Sequence, residues 1–151
     1  MTSTVSLPTR GATIRLARRL AARLAPGDLM LFEGPLGAGK TYLTRAVLRA
    51  LGVGRETRVT SPTFALVHTY RARLEVWHAD LYRVSSGHEV DELGLRAARD
   101  AGAALLVEWG ARFARELGGD ALTATLSIEP RAIAFEAAGP RSLELLGGLA
   151  P

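Results

Sequence analysis

The chain has 151 residues, 48% of them hydrophobic and 23% charged, a balance that suits one globular domain with its own core and argues against disorder. Cysteine is absent, which excludes disulfides, thiolate metal sites and cysteine nucleophiles. The net charge of +4 permits contact with a polyanion, but the basic residues are scattered and lack interleaved aromatics, a pattern that reads as solvated helix faces.

Residues 1–11 hold no apolar run of signal-peptide length, and no segment approaches a membrane span, so a cytoplasmic protein is expected. Thr9 to Leu24 reads as an amphipathic helix. Ile14, Ala17, Ala21 and Leu24 form one stripe with Leu16 and Leu20 beside it, and Arg15, Arg18, Arg19 and Arg23 lie opposite. Pro26-Gly27-Asp28 turns the chain into Leu29–Phe32, apolar on consecutive residues as in a parallel strand covered on both faces.

Next comes Gly34-Pro35-Leu36-Gly37-Ala38-Gly39-Lys40-Thr41, which has the G-x-x-x-x-G-K-[ST] pattern between a strand and a helix. Its glycines allow a tight turn and close approach by a phosphate. Successive N–H groups and the following helix N-terminus make an anion nest, Lys40 reaches the β- and γ-phosphates, and the Thr41 hydroxyl is a Mg²⁺ ligand. Lys40 is the only lysine; the other 18 basic residues are arginines. A compact ammonium on a flexible stem fits among phosphates where a flat guanidinium does not.

Leu43, Val47, Leu48 and Leu51 predict a helix from Thr41 to Leu51, stopped at Gly52. Thr60-Ser61-Pro62-Thr63-Phe64 is a turn-forming cluster. Ala65–Tyr70 and Leu74–Ala79 then predict a hairpin joined by Arg71-Ala72-Arg73. Val90 to Asp100 reads as a weak helix containing Gly94. Ala103–Val107 is a second fully apolar strand ending in Glu108-Trp109-Gly110, and a short helix follows through Leu117. Leu122–Ile128 and Ala132–Ala138 alternate as two strands about Glu129-Pro130-Arg131, and Ser142–Leu149 closes the chain as a helix with a frayed tail. The expected fold is three-layer α/β in a single domain, 1–151: a mixed sheet with parallel core strands and added antiparallel strands. Its ligand would lie at the carboxyl ends of the parallel strands, near Phe32, Val107 and Ala79.

A Mg–nucleotide site needs a carboxylate on the metal side and a group that orients or deprotonates water. Glu108, after its apolar strand, and Asp80, at the end of Leu74–Ala79, are the two candidates; spacing does not assign the roles between them. Asparagine and glutamine are absent. That excludes a guanine-reading N-K-x-D motif and a water-positioning Gln, and makes an adenine nucleotide, ATP, the expected one. His68, His78 and His88 lack metal-ligand spacing and read as ordinary polar residues. Trp109 reads as a core aromatic, with a wall of the site as the alternative.

In this order, Leu36 to Thr41, Ser61-Pro62-Thr63-Phe64, His78-Ala79-Asp80-Leu81-Tyr82-Arg83 and Val107-Glu108-Trp109 resemble the TsaE (YjeE) family of small bacterial P-loop ATPases. The resemblance implies the P-loop NTPase fold and a part in making N6-threonylcarbamoyladenosine at position 37 of tRNAs that read codons beginning with A. It implies the partners TsaD and TsaB, with tRNA met through the complex, and a Mg-dependent ATPase that is weak alone. By the same resemblance Lys40, Asp80 and Glu108 are catalytic, Thr41 and Glu108 hold Mg²⁺, and Ser61-Pro62-Thr63 is a switch-like segment. Nucleotide contacts run from Gly34 through Pro35, Leu36, Gly37, Ala38, Gly39, Lys40 and Thr41 to Tyr42, with Arg10 and Arg131 near the adenine. Pro35 stands where the family usually has Asp, and Tyr42 where a second Thr is common; neither change removes a phosphate-binding group. Three other readings remain open on the residues alone: a small-molecule kinase, a non-catalytic nucleotide-dependent adaptor, and a direct tRNA binder.

Overall fold

A seven-stranded sheet in the order β1-β7-β6-β2-β5-β4-β3 organises the computed structural model, which describes residues 2–149. The strands are β1 (Thr2–Ser6), β2 (Leu29–Glu33), β3 (Val67–Arg71), β4 (Glu75–Asp80), β5 (Ala104–Glu108), β6 (Leu122–Ser127) and β7 (Ala132–Ala137). The four central strands, β6, β2, β5 and β4, run parallel. The pairs β1–β7, β6–β7 and β3–β4 are antiparallel and extend the sheet at both sides. The tail expected after Leu149 lies outside the described residues.

Helices α1 (Arg10–Arg23), α2 (Lys40–Ala50) and α5 (Pro140–Gly147) cover one face, and α3 (Gly87–Glu92) and α4 (Leu95–Asp100) the other. Alternation along β2 shows why both faces must be apolar. Met30 and Phe32 pack with Leu16, Leu43 and Val47 on the α1–α2 side, whereas Leu29 and Leu31 pack with Leu95 and Phe113 on the other. Each such buried side chain contributes about 1.5–3 kcal/mol, so a polar residue at any of these positions breaks a layer. Among the described residues no helix is long and apolar enough to cross a membrane.

Helix α1 starts at Thr9, whose hydroxyl accepts from the Ala12 N–H at 3.1 Å. Its buried stripe is Thr13, Leu16, Ala17, Leu20 and Ala21; Ile14, expected on that stripe, is exposed. The anticipated helix from Val90 to Asp100 is two short helices, because Gly94 adopts φ +74° and breaks the hydrogen-bond ladder. The short helix expected after Glu108 is a single 3₁₀ turn, Ala111–Phe113, followed by turns.

Strand β1 was not anticipated. Its sequence, Thr-Ser-Thr-Val-Ser, has no apolar face; pairing with the free edge of β7 makes it a strand, with Val5 opposite Ile133.

Candidate functional site

The loop from Gly34 to Lys40 joins the carboxyl end of β2 to the start of α2. Gly34 has φ +131°, and a Cβ there would collide with the backbone carbonyl of Leu126 on neighbouring β6, so the loop is seated against the sheet through a position only glycine can fill. Gly39 caps α2 at φ +103° and makes no side-chain cap, which leaves the first-turn N–H groups of this 11-residue helix available to an anion. Ala38 is buried and anchors the loop from beneath, whereas Pro35 and Leu36 are exposed.

Lys40 is 5% exposed and curls back into the loop. Its ammonium donates to the carbonyls of Gly34 at 2.5 Å and Pro35 at 3.0 Å and lies 4.1 Å from the centroid of the Trp109 ring. Burial pushes this ammonium below its ordinary pKa, opposed by Glu108, Glu33 and Asp80.

Strand register brings the two acids together. In parallel pairing Asp80 on β4 lies opposite Glu108 on β5, and Glu108 lies opposite Phe32 on β2. Asp80 and Glu108 therefore end their strands in one row with Phe32, beside the loop. Thr41 donates its hydroxyl to Glu108, at 3.0 Å from Oε1 and 3.3 Å from Oε2. Asp80 is held differently: Ser61 Oγ donates to its Oδ2 at 2.8 Å and the Tyr82 N–H to its Oδ1 at 3.0 Å. The Ser61-Pro62-Thr63 segment is thus tied directly to the second acid.

One further polar side chain enters the site. His78 is fully buried, and its Nε2 lies 2.6 Å from Glu108 Oε2. By spacing His78 reads as an ordinary strand or loop residue; its signals are its place two positions before Asp80, on the same face of β4, and at the head of the His78–Arg83 segment that carries the family resemblance. Trp109, read as a core aromatic, is half-buried with φ +59° and forms a wall of the site. It packs against Tyr82 with ring centroids 4.9 Å apart.

Leu36, Gly37, Gly39, Lys40, Thr41 and Tyr42 face Ser61, Thr63, Asp80, Tyr82, Glu108 and Trp109 across a cleft of about 420 Å³. Tyr42 is also a wall of an adjoining hollow of about 350 Å³ that includes Arg10 and Arg131. The two arginines, far apart in sequence, therefore line one hollow, and Arg131 also lies beside Gly39 of the phosphate loop. A larger groove of about 550 Å³, between α1 and α2, gathers Arg18, Arg45, Arg49 and Arg55 with no acid in its lining. The basic residues are less scattered in space than along the chain.

The donor set suits Mg²⁺ of the nucleotide-borne kind. Among the described residues no three His, Cys, Asp or Glu side chains converge as a metal cage. Glu108 and Thr41 instead supply two hard oxygen donors beside a loop of phosphate-binding pattern, and Mg²⁺ is commonly held by one or two carboxylates together with substrate phosphates.

A family model described as "Threonylcarbamoyl adenosine biosynthesis protein TsaE" matches residues 7–134. Proteins called tRNA threonylcarbamoyladenosine biosynthesis protein TsaE are similar to this chain. The one from Rickettsia conorii is 43% identical over 98 residues, covering 64% of this chain and 55% of that protein. The one from Treponema pallidum is 33% identical over 116 residues, covering 77% and 84%. The chain thus spans little more than half the length of the rickettsial relative but most of the treponemal one. Among solved structures, the crystal structure of Bacillus subtilus YdiB matches with a TM-score of 0.76 at 28% identity, over 99% of this chain and 94% of that one. With its phosphate loop between β2 and α2, the fold is that of the P-loop NTPases.

Proposed function

The chain belongs to the TsaE family, and from that premise we propose that it binds and hydrolyses ATP for the assembly that makes N6-threonylcarbamoyladenosine at position 37 of tRNAs reading codons that begin with A. It acts in the cytoplasm with TsaD and TsaB. The observation that carries this reading is the Thr41–Glu108 contact at the mouth of the phosphate loop, with Asp80 beside it in register.

Each residue has a role that follows from its position. Loop N–H groups and Lys40 bind and orient the phosphates, and the Lys40 ammonium exchanges its loop carbonyl partners for phosphate oxygens. Mg²⁺, when bound through Thr41 and Glu108, supplies charge neutralisation at the phosphates. Asp80, fixed by Ser61 and the Tyr82 N–H, orients a water and takes its proton at a carboxylate oxygen. Arg10, Tyr42 and Arg131 border the adenine side. Leu36, Phe64 and Tyr82 are exposed near the cleft or on its adjoining segment, an apolar rim that suits cover by a partner protein.

The test is ATP turnover by the purified chain, alone and with TsaB and TsaD. Low turnover alone, rising with both partners, is the expected result, because a group supplied in trans would complete the site. Lys40→Ala and Glu108→Ala abolish it; wild-type turnover by Glu108→Ala removes that residue from the site. Phosphate transfer to an added metabolite instead of water would replace the reading with a kinase.

A second reading, direct contact with tRNA, draws on the arginine groove. None of Arg18, Arg45, Arg49 and Arg55 is in an ion pair among the described residues. It predicts tRNA binding by this chain alone, with affinity falling steeply as salt rises.

A further inference from the structure

The Thr41 hydroxyl lies almost equally far from both oxygens of Glu108, at 3.0 and 3.3 Å, so it does not by itself choose between them. His78 makes the choice. Strands β4 and β5 are parallel with Asp80 opposite Glu108 and His78 opposite Leu106, so the imidazole sits one step below the acids on the same face of the sheet. From there its Nε2 meets Oε2 at 2.6 Å. We propose that His78 is a positioning residue for the metal side of the site: it holds Oε2 of Glu108 and thereby presents Oε1 to Thr41 and to a bound Mg²⁺. The inference rests on the reading of Glu108 as the metal-side acid.

Two features of the surroundings favour this role over packing. The neighbouring residues on this face, Val76 and Leu106, are buried and apolar, and a histidine among them gains less from burial than an aliphatic side chain would. The ring is also only half satisfied. Its Nδ1 is buried without a partner among the described residues. A carboxylate oxygen only accepts, so in this contact Nε2 carries the proton and donates it to Glu108. A polar ring kept in an apolar layer with one nitrogen unpaired is explained by what its other nitrogen holds. Outer partners that orient a metal ligand act in this way generally, and their loss weakens metal affinity by about 10- to 100-fold.

The experiment measures nucleotide affinity by Trp109-region fluorescence, first in EDTA and then across a Mg²⁺ titration, for wild type, His78→Leu and His78→Gln. Leucine keeps the bulk and removes the donor; glutamine places an amide N–H where Nε2 stood. The expected result is unchanged metal-free affinity in both variants and a Mg²⁺ half-saturation raised about 10- to 100-fold in His78→Leu. His78→Gln restores most of that loss. Wild-type Mg²⁺ dependence in His78→Leu overturns the inference, and so does an equal loss with and without metal, or a glutamine variant no better than leucine. Should His78→Leu fail to fold, His78→Asn, whose amide falls short of Oε2, is compared with His78→Gln by the same criteria. Absence of any Mg²⁺ effect in wild type would instead overturn the reading of Glu108, which separates the two failures.

Discussion

Replacing Gly34 by alanine tests how the phosphate loop is seated. At φ +131° an L-residue is strained by about 1–3 kcal/mol. The added Cβ would also collide with the Leu126 carbonyl oxygen and come within 3.2 and 3.3 Å of the Leu126 carbonyl carbon and nitrogen. Those atoms are backbone of β6, locked between β2 and β7, so no flexible side chain can give way. Overpacking of this kind costs about 1–3 kcal/mol more. The combined loss, roughly 2–6 kcal/mol, is a large share of the 5–15 kcal/mol typical of a domain, and it lowers Tm by roughly 5–20 °C. Gly37→Ala is the control. Gly37 is also at positive φ, +81°, but nothing lies within 4 Å of its would-be Cβ, so only the conformational cost of about 1–2 kcal/mol applies. Urea unfolding of both variants, read as midpoint shifts at constant m, checks the comparison. A Gly34→Ala protein no less stable than Gly37→Ala would refute the argument that contact with β6 seats the loop.

Two further outcomes concern the region that fixes β2. Asp28 is 2% exposed and takes a bidentate pair from Arg141, at 2.8 and 3.0 Å. Arg141→Ala therefore strands a buried carboxylate and costs about 3 kcal/mol by thermal or urea unfolding, whereas the same change in an Asp28→Asn background costs far less. Burial alone would raise the pKa of Asp120, but bonds donated by Ser142 and the Arg141 N–H, with the charge of Arg99, bring it below its ordinary 3.8. A depressed folded-state value contributes stability that is present above 3.8 and is lost as pH falls through 3.8 towards the folded value. Asp120→Asn, which tolerates the φ of +47° at this position, should flatten the loss of stability below about pH 4. An acid limb as steep as that of wild type would show that Asp120 is not among the groups responsible.

Much of the site was legible because its signals are local. A phosphate loop is a contiguous stretch whose glycines, lysine and threonine each carry a fixed job. The apolar run before Glu108 reports a buried strand, and the acid after it reports that strand's end. Asp80 was legible for the same reason, one strand over. Helix α1 was placed within a residue of its cap, although Ile14 shows that a periodic stripe has an uncertain margin. Strand β1 left no pattern, since the hydrogen bonds that form it belong to β7.

By itself the sequence determined what is written in neighbouring residues: the loop, the strand ends and their acids, and through them the family. Tertiary structure decided everything that depends on register. The alignment of β4 with β5 set Asp80 against Glu108 and put His78 beneath them, where an isolated histidine became the partner of a carboxylate. Folding also carried Arg10 and Arg131 into the lining of one hollow and Trp109 to the lip of the cleft. Such contacts join residues tens of positions apart, and a one-residue slip would send each side chain to the other face of the sheet, so the chain's local pattern does not encode them.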